Sequence, residues 1–273
     1  MLYLVPTPIG NLEDISQRSL KVLLEAELIF CEDTRVTKKL LNLLALKYNL
    51  DFSNKDFKSF HSHNENQVLQ NLDKSTFSNN VVYVSDAGMP CISDPGASLV
   101  DFCIKNEIPY DVLPGANAVI TAFAMSGFKN TEFTFYGFLN HKGVNRKTKL
   151  EEILNSNKLA ILYEAPHRLL KLLGELKNKD ENRTIFLAKE ISKLHQKTYK
   201  DSVKNIYELF LNIEIKGEWV IIIDAKEKIG FNLELDDIIS LDIAPKIKAK
   251  LIAKLTGSSV KVVYQELLDK IPK

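Results

Sequence analysis

Apolar and polar positions follow a repeating order through the first half of the chain. Short β-rich apolar runs stand at Leu2 to Val5, Leu28 to Cys31, Phe57 to Phe60, Val81 to Val84 and Tyr110 to Leu113. Each run breaks into a polar loop, and each loop gives way to apolar residues at helical spacing. Ser16 reads as a helix N-cap before the stripe Leu20, Leu23 and Leu24. Further stripes are Leu40, Leu41, Leu43 and Leu44; then Val68, Leu69 and Leu72; then Ala97 to Ile104; then Val119 to Met125. Strand, loop, helix, five times over, predicts an α/β fold with a mainly parallel sheet and helices on both faces. The loops all follow strands, so they gather at one edge of that sheet, where ligands bind in open α/β folds. The richest loop, Ser85 to Gly96, holds two Gly, two Pro and two Asp. Asp86 and Asp94 offer acceptors there to hydroxyl or ammonium groups, with helix-capping aspartates in a tight turn as the plainer alternative.

Beyond Gly127 the texture changes. Phe133 to Phe138, Leu159 to Tyr163, Thr184 to Ala188, Lys197 to Lys200 and Trp219 to Ile223 read as strands. Pro166 suits the first turn of a helix carrying Leu169 to Leu176, and Val203 to Leu211 is a second helix. The pattern divides the chain into an α/β domain over 1–128, a second over 129–226, and a helical segment over 232–273. In that segment Lys246 to Leu255 and a helix through Val262 to Leu268 flank Thr256-Gly257-Ser258-Ser259. This shape fits a helix-turn-helix or a small packing cap equally well.

Lys and Arg number 36 against 35 Asp and Glu. A nucleic-acid site must therefore be a local patch rather than a global charge. Cys31, Cys91 and Cys103 show no C-x-x-C spacing, which predicts a reduced, cytoplasmic chain without a zinc site. No metal is expected, no signal peptide is visible, and no apolar stretch is long enough for a membrane span. Neither G-x-G-x-x-G nor G-x-x-x-x-G-K-[ST] occurs, so ordinary dinucleotide and nucleoside-triphosphate sites lose their main support.

Four loops stand together in one order: Pro6-Thr7-Pro8-Ile9-Gly10-Asn11-Leu12, Glu32-Asp33-Thr34-Arg35, Val84 to Pro90 with Ser93-Asp94-Pro95-Gly96, and Tyr163-Glu164-Ala165-Pro166-His167-Arg168. With His61-Ser62-His63-Asn64-Glu65 and Lys189 to His195, they resemble the 16S rRNA cytidine 2′-O-methyltransferases of the tetrapyrrole methylase superfamily. Met89, Cys91 and Ala116-Asn117 depart from the family pattern. The resemblance implies two α/β domains of tetrapyrrole-methylase type with S-adenosylmethionine in the cleft between them, and a homodimer. It implies methylation of a ribose 2′-hydroxyl, that of cytidine 1402, in 16S rRNA of the small ribosomal subunit. By motif match it assigns Pro8, Gly10, Ser85, Asp86, Ala87, Gly88, Ile92, Pro114 and Gly115 to the cofactor, with Tyr163 and Ala188 beside them.

Methyl transfer from a sulfonium is an in-line displacement, which rests mainly on positioning donor and acceptor. A ribose hydroxyl also needs its proton drawn away. Glu32, Asp33, His61, His63 and Asp86 all fall at predicted strand ends. Of these, His61 or Asp33 is the expected catalytic group, with plain structural hydrogen bonding as the alternative. Arg35, Lys142, Arg146, Lys147, Lys149 and Arg168 are the expected RNA phosphate contacts. The stretch Lys142 to Lys149 is basic and has no acid before Glu151. Two rivals remain: a methylase of a corrin precursor, and a non-catalytic nucleic-acid-binding regulator.

Overall fold

The first ten elements alternate as β1 (Leu2–Leu4), α1 (Gln17–Glu25), β2 (Leu28–Cys31), α2 (Thr34–Tyr48), β3 (Asp56–Ser59), α3 (Glu65–Gln70), β4 (Val81–Val84), α4 (Ala97–Lys105), β5 (Tyr110–Val112) and α5 (Ala118–Ser126). This is a computed structural model, and it describes residues 1–226 and 235–269. The five strands form one sheet in the order β3-β2-β4-β1-β5, and every pair is parallel. All five strand-end loops therefore lie at one edge.

Side chains alternate across this sheet with the period of a strand. Leu2, Leu4, Val81 and Tyr83 pack with Phe30, Phe60, Leu99 and Cys103 on one face. Val5, Ile29, Val82 and Val84 pack with Leu23, Leu41 and Leu44 on the other. Each fully buried Val, Leu or Ile contributes about 1.5–3 kcal/mol. Polar caps set the helix starts. The Ser16 hydroxyl accepts the Ser19 N–H at 2.9 Å, Asp33 accepts from Arg35 N at 2.8 Å, and Asn117 accepts from Ile120 N at 3.1 Å.

The second sheet comprises β6 (Phe133–Phe138), β7 (Leu159–Glu164), β8 (Thr184–Lys189), β9 (Lys197–Ser202) and β10 (Trp219–Ile223), with α6 (Val144–Asn155), α7 (Pro166–Asp180) and α8 (Val203–Phe210) between them. Its order is β6-β7-β10-β8-β9, parallel only at β6–β7. Leu162, Leu187, Ile221 and Ile223 pack under Leu150, Leu172, Leu176 and Phe210 from α6, α7 and α8. The opposite face, with Ile161, Ala188, Val220 and Ile222, packs against Val119 and Ala122 of α5. Thus α5, which precedes the expected division at 128/129, covers the second sheet. Both sheets lie within one compact unit, Met1–Lys226.

The other unit, Glu227–Lys273, contains α9 (Leu235–Ser240), α10 (Pro245–Thr256) and α11 (Val260–Asp269). Ile238, Ala249, Ile252, Ala253 and Val263 form its small core. Gly257, at φ 73°, ends α10 and turns the chain into α11. The expected start of this segment, 232, lies outside the described residues. No helix among the described residues is long and apolar enough to cross a membrane.

Candidate active site

The strand-end loops are stitched together by backbone. Thr7 N donates to Gly88 O and Gly88 N to Thr7 O, both at 3.0 Å, joining the loops after β1 and β4. The loop after β4 then doubles back through Gly96 at φ 126°. A β-carbon on Gly96 would stand 2.6 Å from the Tyr83 ring and 2.9 Å from Cys91 Sγ, so both conformation and space require glycine there. Gly10 meets the second sheet. A β-carbon on it would lie 2.4 Å from Lys193 Cγ and 3.0 Å from the Ile191 carbonyl. The loops of the two sheets close on each other at that point.

Between them lies a cavity of about 600 Å³, within the usual range for a small-molecule site. One side carries Glu32, Asp86 and Asp94 from the first sheet. The other carries Phe138, Tyr163 and Trp219 from the second. An acidic wall facing an aromatic wall suits a ligand that joins positive charge and hydroxyls to a flat ring.

Of the expected cofactor residues, Asp86, Ala87, Gly88, Ile92 and Tyr163 line this cavity. The others stand outside the lining. Ser85 is buried, and its hydroxyl donates to the Gly88 carbonyl at 3.4 Å. Gly115 packs on Pro6, Ala188 lies in the second-sheet core, and Gly10 faces Lys193. Pro8 and Pro114 lie in the loops after β1 and β5, outside the lining.

Two of the acidic groups, Asp86 and Glu32, are joined through backbone N–H groups. Asp33 N donates to Asp86 Oδ1 at 3.1 Å, and Asp86 N donates to Glu32 Oε2 at 3.5 Å. Burial, then like charge from neighbouring carboxylates, raises the Glu32 pKa above the usual carboxylate range. Burial likewise raises Asp86 and Asp94, and the Ser85 hydroxyl partly offsets the effect at Asp94. Burial also pushes the Tyr163 phenol up to about 12. Asp33 behaves oppositely. It caps α2 and pairs with Arg35 at 2.6 Å, and the Arg35 hydrogen bonds hold its carboxyl down at about 2. Asp33 lies outside the cavity lining and caps α2. His61 is also outside the lining. Its Nδ1 accepts from His63 N at 3.2 Å, while its N–H donates to Asn64 at 2.8 Å.

The expected phosphate contacts divide. Arg146 is not on the surface: its side chain is 3% exposed. It grips Glu175 at 2.6 Å and the Asn140 carbonyl at 3.0 Å, and stands 3.7 Å from Glu164. Arg168 is spent similarly, on Glu164 at 3.0 Å and the Leu139 carbonyl. The basic stretch runs into α6. Helical periodicity turns Arg146 inward with Leu150 and Ile153. Lys142 and Lys147 remain exposed. Lys149 pairs with Glu152 at 2.7 Å, and Arg35 is exposed beside Asp33.

Ile9, Met89, Asn117, Phe138, Glu164 and Trp219 line the cavity without having been assigned to it from the sequence. Ile9, Met89 and Glu164 adjoin assigned residues, a signal present in the sequence. Phe138 and Trp219 come from strands β6 and β10, whose ends only the fold brings here.

Fold and cavity together define an α/β protein built around a cleft between two sheets. Residues 1–207 match the sequence model of the tetrapyrrole (corrin/porphyrin) methylases. The chain is 46% identical over 270 residues to the ribosomal RNA small subunit methyltransferase I of Campylobacter fetus, covering 98% of this chain and 100% of that one. It is 44% identical to the protein of that name from Helicobacter pylori, covering 98% and 99%. The structure of uroporphyrin-III C-methyl transferase from Thermus thermophilus, complexed with S-adenyl homocysteine, shares the fold. There the TM-score is 0.54 at 14% identity, over 81% of this chain and 96% of that one. The chain belongs to the tetrapyrrole methylase family and, within it, to the ribosomal RNA small subunit methyltransferase I proteins.

Proposed function

We propose that this chain transfers a methyl group from S-adenosylmethionine to the ribose 2′-hydroxyl of a cytidine, position 1402 by the family resemblance, in 16S rRNA of the small ribosomal subunit. The observation that carries the reading is the cavity, whose acidic wall faces aromatic rings in a chain so similar along its length to named rRNA methyltransferases. When bound, S-adenosylmethionine supplies a methyl group on a positively charged sulfur. Asp86, Ala87, Gly88 and Ile92, with Tyr163 opposite, would hold it. The carboxylates favour positive charge in the cleft, and Phe138, Tyr163 and Trp219 shed water from it. Preset loops hold both reactants in line, and orientation alone is worth roughly 7–11 kcal/mol of such a barrier.

Lys142 and Lys147, exposed at the start of α6, are the phosphate contacts that the surface supports. A ribosomal substrate places the protein in the cytoplasm. The edge strand β5 carries exposed Tyr110 and Val112, a surface that supports pairing with a second copy. The test is transfer of labelled methyl to small subunits from cells lacking this protein, followed by rRNA digestion and nucleoside mass analysis. Label on a cytidine ribose is expected. Label elsewhere, or none with the cofactor bound, refutes the substrate assignment.

A further inference from the structure

Three carboxylates line the acidic wall, but they are not equally free. Asp86 Oδ1 is taken by the Asp33 N–H at 3.1 Å. Among the described residues, the Glu32 carboxylate accepts a single protein hydrogen bond, the 3.5 Å approach of Asp86 N to Oε2. The Tyr83 hydroxyl on β4 is buried and has no hydrogen-bond partner among the described residues. A carboxylate on a cavity wall with so little protein hydrogen bonding marks a place completed by a polar ligand.

We infer that Glu32 is the catalytic residue that takes the proton from the acceptor hydroxyl, in place of its neighbour Asp33 or of His61. The inference rests on the ribose-methylating reading above. As the hydroxyl O–H bond breaks, its proton passes to a Glu32 carboxylate oxygen. The hydroxyl oxygen's electron pair forms the new O–CH₃ bond. The methyl carbon's bond to sulfur breaks, its electron pair stays on sulfur, and the sulfonium becomes a neutral thioether. Glu32 then releases the proton to water once the product has left.

The surroundings of Glu32 suit this task. Asp86 and Asp94 face it from the loop after β4, His61 from the loop after β3, and Tyr83 from β4 itself. Burial and the two aspartates make it more basic than a free glutamate, and the nearby His61 opposes them. A general base works best when its basicity approaches the working pH. Asp33, one residue on, is a far weaker base, because Arg35 holds it ionised.

The test is single-turnover methylation of small subunits across pH for wild type, Glu32→Gln and Glu32→Asp. Cofactor affinity is measured alongside by calorimetry, and the Glu32 carboxyl titration by NMR. Glu32→Gln is expected to slow methyl transfer by about 10²–10⁴-fold and to leave cofactor affinity within a few-fold. The wild-type rate should fall as pH drops through the raised Glu32 pKa, and that limb should vanish in Glu32→Gln. Glu32→Asp, which keeps the carboxylate, should restore part of the rate. Glu32→Gln with a near-wild-type rate, an unchanged acidic limb, or a carboxyl titrating at or below the ordinary range each overturns the inference. Wild type that binds cofactor yet leaves small subunits unlabelled instead overturns the substrate reading, and the inference with it.

Discussion

Arg146 is where a surface reading and a buried reading of one residue part most sharply. Arg146→Ala removes a guanidinium that contacts Glu175 at 2.6 Å and the Asn140 carbonyl at 3.0 Å, and that neutralises Glu164 from 3.7 Å. The Glu164 side chain is wholly buried. Breaking one side of a buried ion pair costs about 3–5 kcal/mol. Two facts put this case at the lower end. Glu164 keeps Arg168 at 3.0 Å and the Ala165 N–H at 3.1 Å, and Glu175 is 30% exposed and can hydrate. With about 2–4 °C lost per kcal/mol in a unit of this size, a loss of about 3 kcal/mol lowers the melting temperature by roughly 6–12 °C. The assay is thermal unfolding followed by circular dichroism. Subunit affinity for the same variant is measured against salt at a temperature where it remains folded. An unchanged melting temperature, with a salt slope flatter by about 0.7–0.9, the value of one phosphate contact, would refute the reasoning and return Arg146 to the RNA.

Neutralising Lys142 and Lys147 together should weaken subunit binding and flatten its salt dependence by up to about 1.4–1.8, without lowering the melting temperature; an unchanged slope removes them from the RNA surface. Gly96→Ala combines a positive φ with a 2.6 Å clash on Tyr83, so it should destabilise by at least about 1–3 kcal/mol and loosen cofactor binding, as read by denaturant unfolding and calorimetry. The Asp33 carboxyl should titrate at about 2 by NMR. Its pKa is depressed relative to about 3.9 unfolded, so its capping of α2 is fully present above that value and lost as pH falls toward 2. Amides in the first turn of α2 should exchange faster over that window. Cys91, pushed up to about 11 by burial and by Asp94, should react slowly with iodoacetamide at neutral pH despite being only half-buried.

The sequence by itself determined the alternation of elements, because strand and helix periods are local properties of the chain. It also determined that the loops at one sheet edge carry the chemistry, since parallel strands place all their ends together. Even the inward turn of Arg146 was written in the spacing Arg146, Leu150, Ile153, though a run of charged residues masks such a stripe. The tertiary structure alone decided which neighbouring acid reaches the cavity. Glu32 and Asp33 stand side by side in sequence, and pairing of β2 with β4 sends one toward Asp86 and the cavity while the next caps α2. It alone set Trp219 and Phe138 opposite those acids, and set α5 on the second sheet rather than the first. Those outcomes depend on which distant surfaces bury each other, and no local period encodes that.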